Sequence, residues 1–227
     1  MKKGIPQEVL KLIACVTMVL DHIGAVWGPN PGLRLVGRLS FPIFCFLLAE
    51  GAVRTHDPKK YGLRLAVVAI LSEVPFDFLL HGGFTWEYQS VMVTLLLGFV
   101  MLMAVRKART DGLKFLAVVV TALSAELLRC DYGGAGIFII ALFAATRRWK
   151  DGLLFRILGQ AAIWWMRGGS MIMIGFVAVP MQILATASMV PIAFYSGEKL
   201  TKSRAVQWAF YLFYPVHLVV LLLITML

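Results

Sequence analysis

An aspartate and a histidine, Asp21 and His22, lie within the apolar run VLKLIACVTMVLDHIGAVW at residues 9–27. Arg34, Arg38, Glu50, Glu73, Asp77, Glu126 and His217 also fall in or beside apolar runs. Ionisable groups are costly in hydrocarbon and normally face a bundle interior or a water-filled cavity. A histidine there can accept and return a proton near neutral pH, which makes His22 a candidate general base. Asp21 is its neighbour, so on a helix the two side chains point about 100° apart. Asp21 can orient a neighbouring base, pair with an arginine or serve a separate role. A buried ionic network that locks helices together is the competing reading of the same residues.

The other polar residues recur at helical spacing. Arg34 and Arg38 are four apart, in LRLVGRLSFPIF, and share a helix face. Two guanidinium groups on one face suit a carboxylate, a phosphate or another polar acceptor. They can equally pair with Asp21, Glu73, Asp77 or Glu126. Glu73 and Asp77 are likewise four apart, in SEVPFDFL. Paired carboxylates can divide acid and base duties, carry protons, or simply compensate the arginines. Glu50 stands near the end of its segment, toward a donor entry or as a boundary charge with Arg54. Glu126 and Arg129 share a face, and Gln89, Ser90 and Thr94 offer uncharged hydrogen bonds at a helix start. Tyr214 and His217 share a face in YLFYPVHLVVLL, a pair suited to an acyl carbonyl, a phosphate or a quinone, or to a structural contact.

These residues need long apolar helices to position them. The chain has 227 residues, 60% hydrophobic and 15% charged, with a mean hydropathy of +0.83. Charged residues approach a quarter of an ordinary soluble domain. The expected fold is all-α: a single domain over 1–227 forming a polytopic membrane bundle of nine spans. Their approximate bounds are 9–28, 33–52, 61–80, 91–106, 113–129, 134–147, 152–166, 171–194 and 206–227, with 134–166 the weakest stretch. Asp57 and Pro58 read as a helix cap and a first-turn proline. Pro42 and Pro75 fall inside apolar helices and are expected to disturb them.

Charge fixes the expected orientation. Eighteen of the 22 basic residues collect on one side of this layout. Lys2, Lys3 and Lys11 lie at one end, with Arg54, Lys59, Lys60, Arg64, Arg106, Lys107, Arg109 and Lys114. Arg147, Arg148, Lys150, Arg156, Lys199, Lys202 and Arg204 complete that side. Arg34, Arg38, Arg129 and Arg167 remain on the other. The bias places the N-terminus in the cytoplasm. Trp27, Trp86, Trp164 and Trp165 then lie near the outer ends, where an aromatic belt is expected. The net charge of +10 is dispersed over short loops, which argues against nucleic-acid binding. Cys15, Cys45 and Cys130 are odd in number and the first two lie in apolar segments, which argues against disulfides.

Four blocks in order, LKLIACVTMVLDHIGAV at 10–26, LRLVGRLSFPIFCFLLAEG at 33–51, KKYGLRLAVVAILSEVPFD at 59–77 and FYPVHLVVLL at 213–222, resemble the TraX family. These are membrane proteins linked to N-terminal acetylation of F-type conjugative pilin, and they look related to wider multi-span membrane acyltransferases. The resemblance implies transfer of an acetyl or other acyl group from an acyl-coenzyme A, acetyl-CoA foremost, with no metal. The acceptor it implies is a peptide amine, a sugar hydroxyl or a lipid of the cell envelope, in the bacterial cytoplasmic membrane. It implies His22 as the catalytic histidine and Asp21, Glu73, Asp77 and His217 as its catalytic company. Arg34, Arg38 and Glu50 are then expected to contact substrate, and the spacing of the residues adds Gln89, Glu126 and Tyr214 to that set.

Two further classes account for the same pattern. Intramembrane acids, arginines and histidines suit a proton-coupled transporter or exporter, although internal repeats are not evident. A noncatalytic membrane assembly subunit is expected to satisfy its polar cluster through internal salt bridges. The sequence does not separate direct transfer from an acyl-histidine intermediate, and it leaves the oligomeric state open.

Overall fold

Prolines and capping side chains set the helix boundaries in the computed structural model, which describes residues 4–28, 30–149 and 152–227. Of the basic residues counted above, Lys2, Lys3 and Lys150 lie outside the described residues. The first helix is α1 (Gln7–Val26). Asn30 then accepts the Leu33 N–H at 3.3 Å, and Pro31 opens α2 (Pro31–Gly37). A turn at Arg38 and Leu39 separates α2 from α3 (Ser40–Arg54). Pro42 explains the break. It has no N–H to offer the carbonyl four residues back, that of Arg38, and its ring crowds that carbonyl.

Asp57 accepts the Lys60 N–H at 3.0 Å and Pro58 begins α4 (Pro58–His81), as expected from the sequence. Gly82, at a φ of +74°, closes it in the left-handed conformation that glycine adopts without strain. There follow α5 (Val91–Lys107), α6 (Asp111–Leu127), α7 (Gly133–Ala145) and α8 (Gly152–Arg167). Strands β1 (Met171–Ile174) and β2 (Val177–Pro180) pair antiparallel, Met171 opposite Pro180. A 3-10 helix (Met181–Ser188), α9 (Met189–Ala193) and α10 (Arg204–Thr225) complete the chain.

The chain forms two compact units. One takes the chain up to Leu47 with Leu142–Lys202; the other takes Leu48–Ala141 with Ser203–Leu227. In the first unit α1 packs on α2, and α8 packs on the 3-10 helix and α9. The start of the chain is tied down by backbone pairing. Ile5 N–H donates to the Phe194 carbonyl at 2.7 Å, and Ser196 N–H donates to the Ile5 carbonyl at 2.9 Å. In the second unit α4 packs between α5 and α10, and α6 packs on α5. Tyr61 meets Phe99 edge to face, and the Arg64 guanidinium lies over the Tyr61 and Tyr211 rings. Cys15, Cys45 and Cys130 are buried free thiols.

The chain is a helical membrane protein, but the expectation of nine spans is corrected. Among the described residues three helical stretches are long and apolar enough to cross a membrane: Gln7–Val26, Pro31–Arg54 and Arg204–Thr225. The segment read as 61–80 lies in α4, whose 24 residues give length enough. Arg64, Glu73 and Asp77 all fall in its last 18 residues and lower its apolar character. It still exposes an apolar stripe of Leu63, Val67, Ile70, Leu71, Val74 and Phe78. The helices α5, α6, α7 and α8 are 17, 17, 13 and 16 residues long. The segment read as 171–194 is a hairpin followed by two short helices, because Gly175, at a φ of +60°, turns the chain and Pro180 ends the strand. Trp164 is fully buried, whereas Trp27, Trp86 and Trp165 are exposed.

Close approach of α1 and α2 depends on glycine. A Cβ on Gly37 would lie 2.3 Å from Asp21 Cβ and 2.6 Å from Asp21 Cα. Small residues at helix contacts let membrane backbones approach in this way. Gly37→Ala is therefore expected to cost about 1–3 kcal/mol through overpacking, seen as a lower melting temperature in detergent. Gly112→Ala, at a helical position with open space around it, is expected to leave that temperature unchanged or raise it. Equal melting temperatures for the two variants would contradict the close approach.

Candidate active site

In the first unit Asp21 is held by two arginines. Arg34 Nη1 lies 2.9 Å from Asp21 Oδ2 and also donates to the Asp21 carbonyl at 3.3 Å. Arg38 Nη2 lies 3.3 Å from Asp21 Oδ1. The break at Pro42 matters here. Arg34 sits on α2 and Arg38 in the turn after it, and both converge on α1. Arg38 Nη1 donates to Gln182 Oε1 at 3.2 Å, which ties the cluster to the 3-10 helix. His22, next in sequence to this carboxylate, is buried. Two guanidinium groups on one carboxylate leave a surplus of one positive charge.

The same unit buries further amide and hydroxyl groups. Gln160 on α8 is fully buried, and neither of its amide atoms has a hydrogen-bond partner among the described residues. Ser188 Oγ and Gln182 Nε2 are in the same condition. Gln182 and Ser188 lie six apart in a helix with three residues per turn, so they share one ridge. Gln160, Gln182 and Ser188 carry no signal in the sequence. They are uncharged, and a lone amide in LGQAAIWW or PMQIL carries no spacing signal.

In the second unit the two acids of α4 grip the connection to α5. Asp77 is buried, and its Oδ2 accepts the Thr85 N–H at 3.1 Å. Glu73 accepts the Ser90 N–H at 3.2 Å and the Ser90 hydroxyl at 2.6 Å. Ser90 precedes α5 but makes no side-chain cap for it; its hydroxyl points to Glu73 instead. The carboxylate thus faces the positive end of a helix, where negative charge is favoured. Asp77 Oδ1 is buried without a hydrogen-bond partner among the described residues.

The remaining sequence candidates fall around this clamp or apart from it. Gln89 joins two connections through its backbone: it donates to the Arg129 carbonyl at 3.2 Å and accepts the Asp131 N–H at 2.8 Å. The Thr94 hydroxyl donates to the Asp131 carbonyl. Glu126 accepts the Gly134 N–H at 2.7 Å, so it caps the start of α7. A Cβ on Gly133 would lie 2.5 Å from that carboxylate. Glu50 pairs with Arg54 at 2.9 Å, one helical turn away.

Tyr214 and His217 are buried on α10, their rings 5.3 Å apart and tilted by 69°. The Tyr214 hydroxyl is buried, with Ser90, Glu73 and Asp131 in its electrostatic surroundings. His217 Nδ1 lies 2.9 Å from the Phe213 carbonyl. A carbonyl only accepts, so Nδ1 carries the hydrogen, and in the neutral ring the lone pair lies on Nε2. Among the described residues no group of three or more His, Cys, Asp or Glu is placed to hold a metal ion.

A helical membrane chain whose buried carboxylates are held by arginines and backbone N–H groups defines the class. More particularly, the chain belongs to the TraX family: residues 6–225 match the model described as TraX protein. It is similar to the probable fimbrial assembly protein FimC, serogroup H1, of Dichelobacter nodosus. They are 26% identical over 226 residues, covering 93% of this chain and 92% of that protein. An uncharacterized protein of Rickettsia prowazekii (strain Madrid E) is 25% identical over 152 residues, 65% of this chain and 58% of that protein. No solved structure matches.

The Glu73 clamp can be tested by substitution. Glu73→Leu leaves the Ser90 N–H and hydroxyl without their acceptor, which is expected to cost about 2 kcal/mol. Hydrogen exchange at the amides of residues 85–91 is expected to accelerate with it. Ser90→Ala keeps the backbone contact and is expected to cost about 1 kcal/mol. Unchanged exchange in Glu73→Leu would remove the clamp.

Proposed function

We propose that the protein is a membrane acetyltransferase that moves an acetyl group from acetyl-coenzyme A to an amine or hydroxyl of the cell envelope. Such acceptors include a pilin N-terminus, a sugar and a lipid. Membership of the TraX family supports this reading, as does a relative described as a probable fimbrial assembly protein. The three helical stretches long and apolar enough to cross a membrane support a location in the bacterial cytoplasmic membrane.

The observation that carries the reading is the Asp21 cluster beside buried His22. Asp21 anchors Arg34 and Arg38, and the surplus positive charge is available to a developing oxyanion. His22 takes the proton from the acceptor amine or hydroxyl. The freed lone pair forms a bond to the acetyl carbonyl carbon, the carbon–sulfur bond breaks, and the leaving thiolate takes the proton back from His22. Gln182 holds Arg38 in place as a positioning residue. Glu73, Asp77, Tyr214 and His217 form the second candidate group, with Nε2 of His217 as an alternative base.

A noncatalytic assembly role is the second reading, and one observation favours it: both Asp21 oxygens already have arginine partners. Labelled acetyl-CoA offered with membrane extract to the purified protein in liposomes separates the two. Incorporation is expected with the parent. It is expected to fall about 100-fold or more in His22→Ala, as loss of a general base does. A similar loss is expected in Arg38→Gln, as loss of an oxyanion contact does. Full incorporation in folded His22→Ala shifts the base to His217, to be tested with His217→Ala. No incorporation by the parent, with demonstrated donor binding, would favour the assembly role.

A further inference from the structure

Where α4 starts and α5 stops, the second unit carries an open-mouthed cavity of about 560 Å³, lined by Thr55, His56, Pro58, Lys59, Met103, Arg106 and Lys107. That size falls in the range of small-molecule sites. Lys59, Arg106 and Lys107 stand on its exposed rim beside His56; Thr55, Pro58 and Met103 are half-buried. The acids nearest in sequence are engaged elsewhere. Asp57 caps α4 and pairs with Lys60 at 3.3 Å, and Glu50 pairs with Arg54. The Lys60 backbone N–H, first among its contacts, holds the Asp57 carboxyl below its ordinary range. Among the described residues none of His56, Lys59, Arg106 and Lys107 forms an ion pair.

Three like charges on one small rim repel one another and call for a ligand of several negative charges. A phospholipid phosphodiester brings one. The nucleotide half of coenzyme A brings a diphosphate and a phosphate monoester, roughly four charges at neutral pH. Arg106 supplies a planar fork for a phosphate, and Lys59 and Lys107 supply point charges. Pro58 and Met103 offer an apolar surface for a base. We propose that this cavity holds the phosphates of the nucleotide half of the acyl-coenzyme A donor. The proposal rests on the acyl-transfer reading above for the identity of the donor. It adds a binding subsite absent from the intramembrane candidates, and it makes donor recognition separable from chemistry.

The test uses the full chain in nanodiscs of zwitterionic lipid, titrated with 3′,5′-ADP by calorimetry. Saturable binding is expected in the parent, weakened at least about tenfold in Arg106→Ala/Lys107→Ala and in Lys59→Glu. Lys60→Ala, whose charge faces Asp57, is expected to bind like the parent. In the transfer assay the double variant is expected to raise KM for acetyl-CoA about tenfold or more. Its turnover of acetyl-pantetheine, which lacks the nucleotide, is expected to match the parent. Absence of 3′,5′-ADP binding to the parent, or equal binding in parent and variants, overturns the proposal. Retention of phosphatidylglycerol that the variants lose, without nucleotide binding, assigns the charges to lipid and also overturns it. Binding of 3′,5′-ADP that is sensitive to the variants, with no transfer from either thioester, overturns the acyl-transfer reading and leaves the nucleotide-phosphate site standing.

Discussion

The contact between Asp21 and two arginines is the constraint on which the first unit depends. A carboxylate on a helix rich in Leu, Ile and Val needs a charged partner, and a single arginine would give a neutral pair. The structure brings two, from neighbouring but distinct backbone settings, and that requires three sequence features together. Gly37 lets α2 approach Asp21 without a side chain between them. Pro42 ends the continuity of the helix so that Arg38 turns inward. Gln182 fixes the far face of Arg38. Removing one partner from this half-buried cluster leaves charge without its counter-ion in an apolar setting, so the features are mutually dependent.

The second unit handles its acids differently. Glu73, Asp77 and Glu126 all accept backbone N–H groups at connections or at helix starts. Their charges organise the ends of α5 and α7 and the loop between α4 and α5. The turn after α6 places Arg129 and Tyr132 at φ values of 51° and 65°, unusual for residues with side chains. Gln89 in the neighbouring connection and Thr94 on α5 latch that turn. The acids of this apolar chain thus divide among the Asp21 cluster, single ion pairs such as Glu50 with Arg54, and backbone clasps.

Much of this was legible in the residues, and the parts that were not have physical reasons. Asp57 with Pro58 announced a helix start because capping is local chemistry. The four family blocks identified the family, since they preserve residue order over most of the chain. The pairing of Asp21 with Arg34 and Arg38 stood among the alternatives, because spacing shows which residues share a face but not which partner lies opposite. The count of spans failed where apolar composition did not distinguish a short helix from a hairpin. MIMIGFVAVP alternates no more clearly than a helix does, and only Gly175 marks its turn. Gln160 and Gln182 escaped notice because an amide has no charge to stand out by. Their burial is a property of tertiary packing.

The cysteines described with the fold carry an experimental consequence. Cys15 and Cys45 lie in the first unit and Cys130 in the second, all buried and free of disulfides. Their exposures are 2%, 0% and 5%, so a reagent reaches each sulfur only when the surrounding structure opens. The natural chain therefore carries a reporter in each unit. The rates at which alkylating agents mark Cys15 and Cys130 measure how often each unit breathes, with no label introduced and no residue of either candidate site altered.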